Sequence, residues 1–192
     1  MAKRPGSSNR LRIIGGSMRG RILSFPSAKG LRPTADRIRE TLFNWLQHDI
    51  AGSRCLDLFA GSGALGFEAA SRGAGQVVML DNNPAVIQQL QQNVHLLGLQ
   101  QQVEVVSAAA MNWLAASQAE PFDVVFLDPP FADAVLQQAV DALHASRLLA
   151  PQALLYIERD RNQDLPQLPS GWHILRDKQA GQVSYSLIAC GE

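Results

Sequence analysis

The chain predicts an α/β protein built on a doubly wound, mostly parallel sheet, with a small β-hairpin and a helix in front of it. Three observations carry this reading. From Ser53 onward, short apolar runs alternate with longer amphipathic ones, the pattern of strands covered by helices. The first of these strands runs into a glycine turn and then a helix, at Gly61-x-Gly63-x-x-Gly66. The next strand closes on Asp81, at the spacing where Rossmann-like sites place a ribose-binding carboxylate.

Residues 1–9 hold Pro, Gly and Ser without any apolar repeat and read as a flexible basic arm. Residues 11–14 and 21–25 read as β segments flanking Gly15-Gly16-Ser17-Met18-Arg19-Gly20, a hairpin with a glycine-rich tip. After Pro33 the period changes. Ile38, Leu42, Phe43, Trp45 and Leu46 share one helix face up to about residue 49, with Thr34 as the expected N-cap. Further strands are expected at 54–59, 76–80, 103–106, 122–127 and 154–158, and helices at 64–71, 84–97, 109–116 and 134–148. Asn83 and Pro84 suit the start of the second of these helices, and Gly98 its end. The tail reads as a hairpin of 172–177 with 183–189, turning at 179–181. The organisation is therefore an arm (1–9), a hairpin and helix (10–50) and a sheet domain (51–192).

A length of 192 residues, 46% of them hydrophobic, allows one substantial core. Cys55 and Cys190 form neither a disulfide framework nor a zinc motif, so a reducing compartment and no metal are expected. No apolar run approaches the roughly 20 residues that span a bilayer, and the basic N-terminus lacks the apolar stretch of a signal peptide. A cytoplasmic protein without a membrane partner is expected. The net charge of zero hides a separation: residues 1–40 carry ten Lys/Arg against Asp36 and Glu40, a charge of +8, and the remainder carries −8. A phosphate-attracting surface on an otherwise acidic body points to nucleic acid.

The glycine turn permits backbone to lie against a ligand at a helix N-terminus. Alone it does not separate a dinucleotide from S-adenosylmethionine. Two features favour the latter. Asp57, four residues before Gly61, can receive the ammonium of a methionine moiety, and the fourth strand ends in Asp128-Pro129-Pro130-Phe131. Two prolines remove two backbone donors, and Pro130 holds Pro129 extended, leaving its carbonyl as an acceptor beside the Asp128 carboxylate. The pair can grip both hydrogens of an exocyclic –NH2, while Phe131 offers a face on which a base stacks, worth about 1–3 kcal/mol. Such a grip aims a weakly nucleophilic, ring-conjugated nitrogen at a sulfonium methyl, so catalysis is mainly orientation and electrostatics. His48, His95, His144 and His173 form no cluster and read as structural.

Leu11-Arg12-Ile13-Ile14-Gly15-Gly16, Arg19-Gly20-Arg21, Arg32-Pro33-Thr34, Asp36-Arg37 and Arg39-Glu40-Thr41-Leu42-Phe43-Asn44 resemble the N-terminal blocks of bacterial small-subunit rRNA guanine-N2 methyltransferases. These belong to the class I methyltransferases, whose Asp57–Gly63 and Asp128–Phe131 motifs recur widely. The resemblance covers nearly the whole chain. It implies a seven-stranded sheet with its last strand antiparallel, S-adenosylmethionine as donor and S-adenosylhomocysteine as product. The substrate it implies is a guanine N2 amine of 16S rRNA in an assembling 30S particle, with no obligate protein partner.

The candidate residues follow. Asp128, Pro129 and Phe131 are catalytic; Asp57, Phe59, Ala60, Gly61, Gly63, Asp81, Asn82 and Ala108 bind the donor; Arg10, Arg12, Arg19, Arg21, Arg32 and Arg37 bind RNA. The chain departs from related methyltransferases after the third strand of the sheet domain, where Ser107-Ala108-Ala109-Ala110-Met111 lacks an adenine-contacting acid. Asp-Pro-Pro-aromatic also occurs in adenine-N6 enzymes, so a DNA or RNA adenine-N6 methyltransferase stays open. So do a protein-glutamine methyltransferase and a non-catalytic RNA-binding assembly factor. A dinucleotide oxidoreductase fits least, since no proton-transfer residue is evident for it.

Overall fold

The computed structural model describes residues 9–26, 34–129 and 133–191. Strands β1 (Asn9–Arg12) and β2 (Ile22–Phe25) pair antiparallel, Arg10 opposite Ser24 and Arg12 opposite Ile22. They are offset from the expected segments because the turn begins at Ile13, whose N–H and C=O bond Arg21 and Gly20 across the loop. Helix α1 (Asp36–Trp45) follows. Its N-cap is Ala35, with no side-chain cap. The expected Thr34 cap is therefore incorrect: that hydroxyl is drawn away to donate to Asp128 Oδ2 at 3.2 Å.

The chain continues through β3 (Arg54–Asp57), α2 (Ala64–Ser71), β4 (Gln76–Asp81), α3 (Pro84–Leu97), β5 (Val103–Ser107), α4 (Ala110–Ala116), β6 (Phe122–Leu127), α5 (Asp133–Ala145), β7 (Leu149–Asp160), β8 (His173–Ala180) and β9 (Val183–Ala189). Asn83 accepts from the Ala85 N–H, and Gly98 closes α3 at φ 71°, as the sequence predicts. Strand β3 ends earlier than expected, because residues 58–60 turn toward the glycines. Strand β7 is longer than expected, its first part pairing with the start of β6 across a register shift.

The seven strands lie in the order β5-β4-β3-β6-β7-β9-β8. Strands β3 to β7 are mutually parallel, and β9 is antiparallel to both β7 and β8. This is the class I methyltransferase sheet, mostly parallel with its last strand reversed. The order turns outward in both directions from β3 and β6, so the crevice beyond their carboxyl ends is the topological switch point where such folds bind ligands.

Two cores cover the sheet. One contains Cys55, Met79, Phe126 and Tyr156 together with Leu11, Leu23, Phe25, Ile38, Leu42 and Phe43, so the hairpin and α1 pack on the same face of the sheet as α2 and α3. The other packs Leu56, Leu80, Val125 and Ile157 against α4 and α5. Among the described residues no helix is long and apolar enough to cross a membrane.

Candidate active site and RNA surface

Side chains alternate between the faces of a strand. Met79, Cys55, Phe126 and Tyr156 all face the hairpin-side core, so the positions two residues further on face the same way. Those positions are Asp81, Asp57, Asp128 and Glu158. Four adjacent strands, in the spatial order β4-β3-β6-β7, thus each deliver one carboxyl to the same end of the same face. The sequence reading named three of them; Glu158 it missed.

Each acid is held differently. Asp81 is half-buried and accepts from two amides, Gly61 N–H at 3.1 Å on Oδ2 and Asn83 N–H at 2.8 Å on Oδ1. This fixes the carboxylate while leaving lone pairs for a pair of hydroxyls. Asp57 is 1% exposed and accepts from the Gly66 N–H at 3.1 Å. From the end of β3 it braces the first turn of α2. Burial, and next the negative charge of Asp128, push Asp57 up to about 7.

Half-buried Asp128 is raised to about 6 by desolvation, against the opposing Thr34 hydrogen bond. Glu158 is 9% exposed, accepts from the Tyr156 hydroxyl at 2.9 Å, and is raised to about 8 by burial and then by Asp128. Among the described residues, the ion pairs are Arg39–Asp36, Arg39–Glu68, Arg72–Glu68 and Arg159–Asp177. None neutralises this row. The crevice is an anionic seat at a switch point, suited to a cation.

The glycine turn completes it. Gly63 is the N-cap of α2 at φ 78°, a left-handed conformation, and a Cβ there would run into Phe67 and Leu90. Phe59 and Gly61 are half-buried, Ala60 is buried and Asn82 is exposed at the rim. The Ala108 amide already donates to the Asp81 carbonyl at 3.0 Å, so Ala108 offers a ligand packing and not its N–H. Pro129 is buried beside Asp128. Phe131, with Pro130, lies outside the described residues. No group of His, Cys, Asp and Glu among the described residues could hold a metal ion.

Of the candidate RNA residues, Arg10, Arg12, Arg19, Arg21 and Arg37 are exposed, and Arg32 lies outside the described residues. Arg10 and Arg12 share the outer face of β1, with Leu11 buried between them. Arg39, which counts toward the N-terminal charge, is fully buried and adds nothing to that surface. Its guanidinium instead ties the surface to the site. It donates to the Arg12 carbonyl at 2.9 Å and to the Thr34 carbonyl at 3.2 Å, and the Thr34 hydroxyl then reaches Asp128.

Residues 11–189 match the family described as conserved hypothetical protein 95. Ribosomal RNA small subunit methyltransferase D of Escherichia coli K12 is 46% identical over 180 residues, covering 94% of this chain and 90% of that protein. The chain belongs to the ribosomal RNA small subunit methyltransferase D family. Among solved structures, an Escherichia coli protein provisionally assigned as a methyltransferase superposes with a TM-score of 0.89 at 43% identity, covering 95% of this chain and 99% of that one. The Thermus thermophilus 16S rRNA N2 G1207 methyltransferase, solved with AdoMet and guanosine, superposes with a TM-score of 0.72 at 21% identity, covering 96% of this chain and 50% of that one. This last likeness shows a shared fold.

Proposed function

We propose that this chain transfers a methyl group from S-adenosylmethionine to the exocyclic N2 amine of a guanine in 16S rRNA, in an assembling small subunit. The observation that carries the donor assignment is the row of carboxyls, which no ion pair among the described residues neutralises, set beside a glycine turn at the topological switch point of the sheet. S-adenosylmethionine brings two positive centres to such a seat, one sulfonium and one ammonium. Asp81 would hold its ribose hydroxyls and Asp57 would stabilise its cationic methionine end.

When bound, the donor supplies an electrophilic methyl, whose C–S bonding pair returns to sulfur as the acceptor nitrogen's lone pair forms the new N–C bond. The protein's own residues do the rest. Asp128 accepts one amine hydrogen and takes the proton released as the nitrogen becomes methylated, while the Pro129 carbonyl accepts the other. Phe131 would stack on a base drawn out of an RNA loop, because an amine inside a stacked helix cannot line up with the sulfonium. The likeness to methyltransferase D over nearly the full chain supports rRNA as substrate, and the resemblance of the N-terminal blocks supports guanine N2.

The deciding experiment is mass mapping of rRNA methylation with and without the protein, followed by transfer assays on 30S particles, naked rRNA and DNA. A single N2-methylguanine in 16S rRNA is the expected result. Methyl-adenine as product, or transfer to DNA, would overturn the substrate assignment, and absence of any transfer would leave an RNA-binding assembly factor.

A further inference from the structure

Glu158 has no part in the chemistry described above, yet it stands one strand away from Asp128. The register pairs Leu127 with Ile157, so the next residues on the two strands are Asp128 and Glu158. Thr34, 4% exposed, donates its hydroxyl to Asp128 at 3.2 Å, and the same hydroxyl lies close enough to Glu158 to lower the pKa of that carboxyl. One hydroxyl proton therefore faces two acceptors. Tyr156 occupies Glu158 Oε2 from the same strand.

We propose that Glu158 is a positioning residue that, in its neutral form, leaves the Thr34 hydroxyl proton to Asp128 and so aims the Asp128 carboxylate at the substrate amine. The proposal rests on the assignment of Asp128 as the amine acceptor. A protonated Glu158 does not compete for the hydroxyl and can donate to its oxygen, giving a chain from Glu158 through Thr34 to Asp128. An ionised Glu158 draws that proton away and places a second negative charge behind the first. Burial raises both carboxyls, and the neighbouring Asp128 charge raises Glu158 further, so the two titrate as a pair in which Glu158 is the later to ionise. Among the described residues, the other titratable groups around the pair are Tyr156 on the same strand, Tyr185 opposite Glu158 on β9, and Asp57 beside Asp128 on β3.

The test is single-turnover methyl transfer to 30S particles by the full chain and by Glu158→Gln, across pH, with donor affinity measured separately to confirm folding. The readout is the ratio of the variant's rate to the parent's, in which titration of the substrate cancels. Gln cannot ionise, so the ratio should rise about tenfold between about pH 7 and about pH 9, following the loss of protonated Glu158. Thr34→Val should lower the rate at every pH and abolish that rise when combined with Glu158→Gln. A ratio that stays flat overturns the proposal. Asp128→Ala in the same assay separates the two readings. If it transfers at the parent rate, the Asp128 assignment fails and Glu158 falls with it; if it is inactive while the ratio is flat, Asp128 stands and only the role of Glu158 falls.

Discussion

Arg39 and Glu68, both with fully buried side chains, form an ion pair at 3.4 Å that joins α1 to α2. Glu68 is satisfied on all sides: it also accepts from Arg72 Nε at 2.8 Å and from the Ile14 N–H at 2.9 Å. Removing Glu68 leaves buried Arg39 with the exposed Asp36 as its remaining ionic partner and takes the acceptor away from Arg72 and from the Ile14 N–H. Glu68→Ala should therefore destabilise the fold by about 3–5 kcal/mol, measured by urea unfolding. Loss of amide-exchange protection at Ile14 should accompany it. A variant with parental stability would show that the network is dispensable.

Asp57 should make stability fall as pH rises. Its native value of about 7 lies above the ordinary 3.8, so the folded state holds a proton that the unfolded state releases. Stability from this group is complete below about pH 4, and it is lost as pH climbs through about 7. Asp57→Asn removes the ionisation and should gain roughly 1–4 kcal/mol at about pH 8 relative to the parent. Binding of a cationic donor should be weakened in the same variant, and in the parent it should weaken as pH falls below about 7. Calorimetric titration with S-adenosylmethionine checks both; parental affinity in the variant would reduce Asp57 to a brace for the turn.

The exposed arginines of the hairpin should supply RNA affinity through counterion release. Replacing Arg10, Arg12, Arg19 and Arg21 together by Gln should flatten the slope of log K against log salt by about 3, read from filter binding to 30S particles. Donor affinity should survive, since none of the four lines the carboxylate row. An unchanged salt slope would move the RNA surface elsewhere.

Much of this molecule is readable from its residues. Helices α2 and α3 fall at the expected positions because Gly63, Asn83, Pro84 and Gly98 are local signals, interpretable without knowing what packs nearby. Asp57, Asp81 and Asp128 are legible for the same reason, each standing beside a glycine or proline break. Glu158 was hidden because it sits within an uninterrupted strand, 124 positions from Thr34, and looks like the polar end of a strand until the parallel crossover sets it beside Asp128. A usable signal existed: it is the inward-facing acid at the carboxyl end of its strand, as the other three are. Thr34 looked like a cap and Arg39 like surface charge, because both are claimed by partners distant in sequence, which local pattern does not register.

Helix α2 begins at the glycine turn and ends at Ser71, whose carbonyl and hydroxyl are taken up by the hairpin turn through the Ser17 and Met18 amides. Gly16 is pressed so close that any Cβ there would run into that carbonyl. Eight residues of helix span about 12 Å, and under the proposed function they would act as a ruler between the donor's seat and a phosphate-binding hairpin tip. In the proposed complex, the nucleotide reached is then selected by distance as well as by base chemistry. Lengthening α2 by one residue would turn the tip by about 100° and should redirect or abolish methylation even with every site residue intact.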